Sequence, residues 1–211
     1  MRSVTGAGCL LASRAVSSDG VGGNPRRAQI IEIAAELFDR HGYHDTTMQA
    51  IADQAGVRKA SLYYYFRSKD DILAELHQTL TRAVVDRQRD RRAAGELGPR
   101  EQLRAMMRDV IGLGETHPGY LRIFFESHRE LPPDVREAVA GQRADYRRMV
   151  RDVLAAGVAA GEFASVDPDL ASLAALSLMN WTYQWFDRSG RLSAADVADR
   201  FYAILLDGIA T

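Results

Sequence analysis

Between Thr47 and Lys69 the chain gathers side chains that can grip a polyanion and read a surface: Thr47, Arg58, Lys59, Ser61, Tyr63, Tyr64 and Lys69. Cations neutralise phosphates, hydroxyls donate to phosphate oxygens, and tyrosine rings lie on sugars or thymine methyl groups. Leu62 and Phe66 are four apart, so they share one helical face and pack inward. Lys59, Ser61, Tyr63 and Tyr64 then fall largely on other faces. Lys69 stands at the start of the next helix, where a cation and free backbone N–H groups make a phosphate seat. The same spacing also fits a blander arrangement, with the three tyrosines wedged between helices and the lysine solvated.

Short helices must hold these groups. Thr46 or Thr47 can N-cap one helix, with Met48, Ile51 and Ala55 facing inward, and Gly56 stops it. Arg58 or Lys59 to Tyr65 forms the next. Two short helices about a glycine turn read as a helix-turn-helix, whose second helix enters the major groove of DNA. Ahead of them, Pro25 opens a helix with Ile30, Ile33, Ala34, Leu37 and Phe38 on one face, ended by Gly42. Behind them, Ser68 and Asp71 form a capping-box variant for a long fourth helix striped by Ile72, Leu73, Leu76, Leu80 and Val84.

Helical spacing continues to the end of the chain. A fifth helix spans Arg100–Thr116, a sixth Tyr120–Leu131 and a seventh Asp134–Ala160. The eighth starts after Asp167-Pro168 and runs to Phe186, and the ninth covers Ala194–Ile209. No alternating strand pattern and no internal repeat occurs. The expected fold class is all-α, about nine helices, with a three-helix head and a helical bundle behind it.

Composition narrows the function classes. The chain has 211 residues, 46% of them hydrophobic, and a net charge of -1. It can bury a core and is not a wholesale coater of nucleic acid. Residues 1–69 hold nine lysines and arginines against six acidic residues, so phosphate contact must come from a few placed cations. One cysteine, Cys9, excludes an internal disulfide framework and fits a reducing compartment. Residues 1–23, rich in glycine and serine, read as a disordered tail; their apolar stretch is too broken for a signal peptide. No apolar run is long enough to span a membrane, and the expected location is cytoplasmic. The five histidines form no ligand-spaced pair, so no metal and no cofactor is expected. Neither a G-x-S-x-G elbow nor a phosphate-binding G-x-x-x-x-G-K-[ST] loop is present.

The rear of the chain offers a second constellation. Trp181 and Trp185 are four apart, and Asn180 and Gln184 flank them. With Tyr120, Phe124 and Phe125 from the sixth helix and Tyr146 and Met149 from the seventh, they can wall an apolar cavity between helices. They can equally anchor a core or a dimer seam. Arg143, Arg147, Arg148 and Arg151 put four guanidiniums on the seventh helix, a solvated basic face whose planar forks also suit phosphate.

The run TxxxIAxxAGVxxxSLYYYFxSKxxIL, with IIEIAAELFDRHGYHDTT before it, resembles the head of the TetR family of transcriptional regulators from about Arg26 to Leu76. The resemblance implies a DNA-binding head, taken as residues 24–70, and a ligand-binding and dimerisation body, taken as 71–211. By position, Thr47, Lys59, Ser61, Tyr63, Tyr64 and Lys69 match the family's DNA-contacting places. Arg58 adjoins them, and Ala60 stands where many members carry glycine. The stretches GQRADYRRMVRDVLAAGVAAGEF and Asn180–Gly190 are similar to a subgroup that regulates fatty-acid, steroid and aromatic degradation and answers to acyl-CoA thioesters. It implies a homodimer through the last two helices, double-stranded operator DNA as partner, and a small-molecule effector, an acyl-CoA, that releases the DNA. Tyr120, Phe124, Phe125, Tyr146, Arg147, Met149, Arg151, Asn180, Trp181, Gln184 and Trp185 are then the candidate effector contacts. The alternative is a small-molecule binder or enzyme whose head is mere packing.

Overall fold

The computed structural model describes residues 24–209, so the tail expected at 1–23 lies outside the described residues. Among the described residues there are nine α-helices and no strand: α1 Pro25–His41, α2 Met48–Gln54, α3 Lys59–Tyr65, α4 Lys69–Ala94, α5 Pro99–Thr116, α6 Pro118–Glu126, α7 Pro133–Ala159, α8 Pro168–Asn180 and α9 Ala194–Ile209. Five of them begin on a proline. Proline cannot continue a helix but suits its first position, where its missing N–H costs nothing. The sixth and seventh helices therefore start on prolines that sequence alone reads as breakers.

Caps fix the front of the chain. Asn24 accepts from the Arg26 N–H at 3.0 Å, Thr47 from Ala50 at 3.1 Å and Ser68 from Asp71 at 3.1 Å. Of the two candidate threonines, Thr47 is the cap. Thr46 is buried and donates to the Gly42 carbonyl at 2.8 Å. Gly56 ends α2 at φ +63, with its N–H on Asp53 and the Val57 N–H reaching back to Ala52. That reverse turn needs a left-handed residue, which glycine adopts without a Cβ clash.

In the head, Ile30, Ile31, Ala34 and Phe38 of α1 meet Ile51, Leu62, Phe66 and Leu73, all buried. Behind it α5 runs through the body, touching α4, α6, α7, α8 and α9. Head and body meet where α1 packs on α4 and α6.

Two boundaries depart from the sequence reading. Helix α6 stops at Glu126, and a 3-10 turn follows at His128–Glu130. Helix α8 stops at Asn180 and continues only as a 3-10 turn, Trp181–Gln184. Thr182 is buried and donates its hydroxyl to the Met179 carbonyl at 2.7 Å, a local bond that competes with the helix ladder. The chain then turns so that Phe186 packs beside Gly114 of α5.

Candidate nucleic-acid interface and body cavity

Helix α3 stands on Leu62, which is 0% exposed, and Phe66, which is 1% exposed. That leaves Tyr64 85% exposed and Tyr63 46% exposed, with Arg58, Lys59 and Ser61 also at the surface. Tyr65 is half-buried and its carbonyl accepts from Arg27. Arg27 also grips Glu75 of α4 and lies 4.1 Å over the Phe66 ring, so one side chain ties α1, α3 and α4 together. Arg26 caps α2 by donating to the Ala55 carbonyl at 2.6 Å. The exposed face of α3 thus belongs to a pair of short helices stitched to α1 and α4. Tyr63 and Tyr64 are too exposed to be wedged between helices, whereas Tyr65 does pack against the core.

Lys69 is differently placed from a free cation. Its Nζ donates to the carbonyls of Tyr43 at 2.7 Å and His44 at 3.1 Å and lies 4.4 Å from the Tyr43 ring centroid. It holds the α1–α2 loop on the start of α4. Tyr43 in turn donates to Asp70, and burial with that carboxylate raises its hydroxyl pKa above the usual tyrosine value. Arg67, not singled out from the sequence, is exposed beside Tyr63, Tyr64 and Tyr65 in a shallow cleft. A basic residue between a tyrosine-rich helix and a capping serine was the signal for it.

A cavity of about 480 Å³ opens in the body. Leu80, Thr81 and Val84 come from α4, Val110 and Leu113 from α5, Leu121, Phe124 and Phe125 from α6. Arg143, Ala144, Tyr146 and Arg147 of α7 and Leu176 and Asn180 of α8 complete it. That size and apolar lining are those of a small-molecule site. Phe124, Phe125, Tyr146, Arg147 and Asn180 are thus brought together. The other candidates stand elsewhere. Tyr120 faces a cleft against Glu32 and Glu36 of α1. Arg151 pairs with Asp152 at 2.8 Å. Met149 packs on the core, and Gln184 is exposed.

Trp181 is 64% and Trp185 48% exposed, neither on the cavity wall. Their four-residue spacing presumes an α-helix, and the helix has already ended. The cavity residues of α4 and α5 carry no sequence mark, because an apolar wall and a core stripe share one periodicity. Among the described residues no cluster of three metal-ligating side chains occurs, and no helix is long and apolar enough to cross a membrane.

Comparison with known proteins converges on one family. Residues 30–76 match the family described as bacterial regulatory proteins, tetR family, and residues 96–209 the tetracyclin repressor-like C-terminal domain. The HTH-type transcriptional repressor KstR2 of Mycobacterium tuberculosis is 30% identical over 188 residues, 88% of this chain and 94% of that protein. The solved structure of that ketosteroid regulator superposes with a TM-score of 0.81 at 29% identity, covering 90% of this chain and 97% of that one. The TetR family regulator PfmR from Thermus thermophilus gives 0.79 at 32% identity, covering 85% and 97%. AibR, solved in complex with isovaleryl coenzyme A and operator DNA, gives 0.74 at 27% identity, covering 86% and 98%.

Proposed function

The chain belongs to the TetR family of transcriptional regulators, and from that premise we propose that it is a ligand-released repressor acting as a homodimer on a palindromic operator. Membership removes the enzyme reading, since the family and these relatives regulate transcription. In the proposal, Lys59, Ser61, Tyr63 and Tyr64 meet bases and phosphates in the major groove. Thr47, Arg58 and Lys69 meet the flanking backbone, Lys69 by turning from its carbonyls or bridging to a phosphate. Two heads reach successive grooves about 34–36 Å apart on one side of the duplex. Leu170 and Leu173 of α8 and Ile204 of α9 are exposed and apolar, a surface suited to the dimer seam. The work is done where the DNA is, in the cytoplasm.

One observation carries ligand control: the cavity wall is shared by α4 and α6, the two body helices that pack on α1 of the head. Arg122 of α6 holds Asp39 of α1 at 2.8 Å, so a shift of α6 is felt by the head. An effector changes the operator-binding equilibrium only by its differential affinity for the two arrangements. Its proposed class is an acyl-CoA thioester. The acyl part fills the cavity, and the phosphates lie outside near Arg147. Isovaleryl coenzyme A in AibR favours this class.

A gel shift on the DNA upstream of the protein's own gene tests the proposal. Retardation that a panel of acyl-CoA esters reverses is the expected result. The absence of any shift on a palindrome there would overturn the operator reading, and a shift indifferent to every ester would overturn the effector class.

A further inference from the structure

Helix α7 carries four arginines, and their surroundings sort them into two pairs. Arg148 is held by Asp145 and Arg151 by Asp152. Arg143 and Arg147 have no carboxylate partner among the described residues, and these two line the cavity. Arg147 is exposed at the rim. Arg143 is half-buried one turn further in. It donates to the Phe124 carbonyl at 2.9 Å, lies 4.1 Å over the Phe124 ring, and leaves its Nε buried with no acceptor. Desolvation pushes its pKa below the usual arginine value, the mark of a cation short of counter-charge.

Two further polar groups around it are unanswered. His77 is fully buried with its ring 4.9 Å from that of Phe124, and neither ring nitrogen has a hydrogen-bond partner. Tyr146, a cavity residue, keeps a buried hydroxyl without one. Native interiors pair their buried polar groups, and a buried cation left without an anion is costly. A wall made mostly of leucine, valine and aromatic side chains does not need an arginine for packing.

We propose that Arg143 is the anion subsite of the effector cavity, and that the acyl part of the effector itself bears a carboxylate. The guanidinium fork receives that carboxylate bidentately inside the cavity, and Arg147 receives a phosphate at the rim. This rests on the cavity being the effector site. It goes beyond it in naming a dicarboxylic acyl thioester over a plain alkyl one.

Calorimetric titration of the full-length protein with suberyl-CoA and octanoyl-CoA tests this directly, since the two differ only at the far end of the acyl chain. The expected result is a preference of at least tenfold for suberyl-CoA. Arg143→Gln should erase it, Arg143→Lys should keep part of it, and Arg147→Gln should weaken both esters alike. A role for Arg143 only in capping α6 would leave the preference unmoved. Equal or tighter binding of octanoyl-CoA would overturn the subsite while leaving the thioester reading intact. That wild-type comparison decides even if Arg143→Gln fails to fold. A second arm uses octanoate against octan-1-ol. If neither thioester binds but octanoate is preferred in an Arg143-dependent way, the thioester reading falls and the anion subsite stands. If octanoate fails as well, both fall.

Discussion

Leu62 and Tyr64 lie two residues apart on one short helix and should fail in opposite ways when cut to alanine. Tyr64 is 85% exposed, so Tyr64→Ala should leave the stability within the small range of surface changes, about ±0.5 kcal/mol. Operator affinity should fall tenfold or more, on the order of the ~1–3 kcal/mol of a good base contact. Leu62 is fully buried, so Leu62→Ala should cost about 2–5 kcal/mol and lose DNA binding together with the fold of the head. Thermal melts run beside gel shifts separate the two, and unfolding by Tyr64→Ala would sink the assignment. His77 gives a pH signature of its own. Burial, then Arg143 and then His128, push its pKa down to about 3. Between about 6.5 and 3 the unfolded chain binds the proton that the folded one refuses, so stability falls as pH falls through that window, by up to ~1.4 kcal/mol per pH unit. His77→Leu should flatten the urea-unfolding profile between pH 6.5 and 3. A profile as steep as the wild type's would show that other groups carry it. At this scale the sequence displayed the two faces of α3 well, because Leu62 and Phe66, four apart, turn inward and leave Tyr63 and Tyr64 outward. Arg143 was harder to single out. Its only signal was the want of an acidic residue one helical turn to either side, whereas Arg148 has Asp145.

Helices were legible where caps and periodicity agreed and blurred where side chains overrode them. Asn24, Thr47, Ser68 and Asp167 all cap as their types suggest. The end of α8 could not be read, since the bond from Thr182 to Met179 and the docking of Phe186 on Gly114 depend on partners distant in sequence or on side-chain rotamer. The consequence falls on Trp181 and Trp185, which leave the cavity for the surface. The joint between α7 and α8 shows the same dependence. Gly157 is buried near the end of α7, and a Cβ there would run into the ring of Phe163, which is 1% exposed and would have to shift within the core. Gly157→Ala is therefore an overpacking change despite its better helix propensity, and should destabilise by roughly 1–3 kcal/mol. Denaturant unfolding checks the sign. A stabilised variant would mean that Phe163 has somewhere else to go. Phe163→Leu in the same background should restore part of the loss by making room.

At the scale of the whole molecule the proposal depends on pairing two heads, and pairing leaves a mark on affinity that no single head can mimic. One recognition helix covers few base pairs, and the head carries only a handful of free cations, so a lone chain should hold DNA weakly and with a shallower salt dependence than the pair, whose phosphate contacts are doubled. Tethering a second head makes its binding intramolecular, at an effective concentration that can raise avidity by ~10²–10⁴ without any new contact. Ile204 offers the cleanest cut. It is 62% exposed on α9, so a charge there disturbs no core, yet it falls within the apolar face of the proposed seam. Ile204→Glu would put two charges into the apolar seam, one from each protomer, because a symmetric interface repeats every substitution. The variant should sediment as a monomer with unchanged helicity, and its melting midpoint should no longer rise with protein concentration. Its operator affinity should drop by about the same ~10²–10⁴, while contact with a single half-site stays as weak as the wild type's. A monomer that bound the full operator at wild-type strength would separate recognition from dimerisation, and the control of head spacing by the cavity would lose its basis.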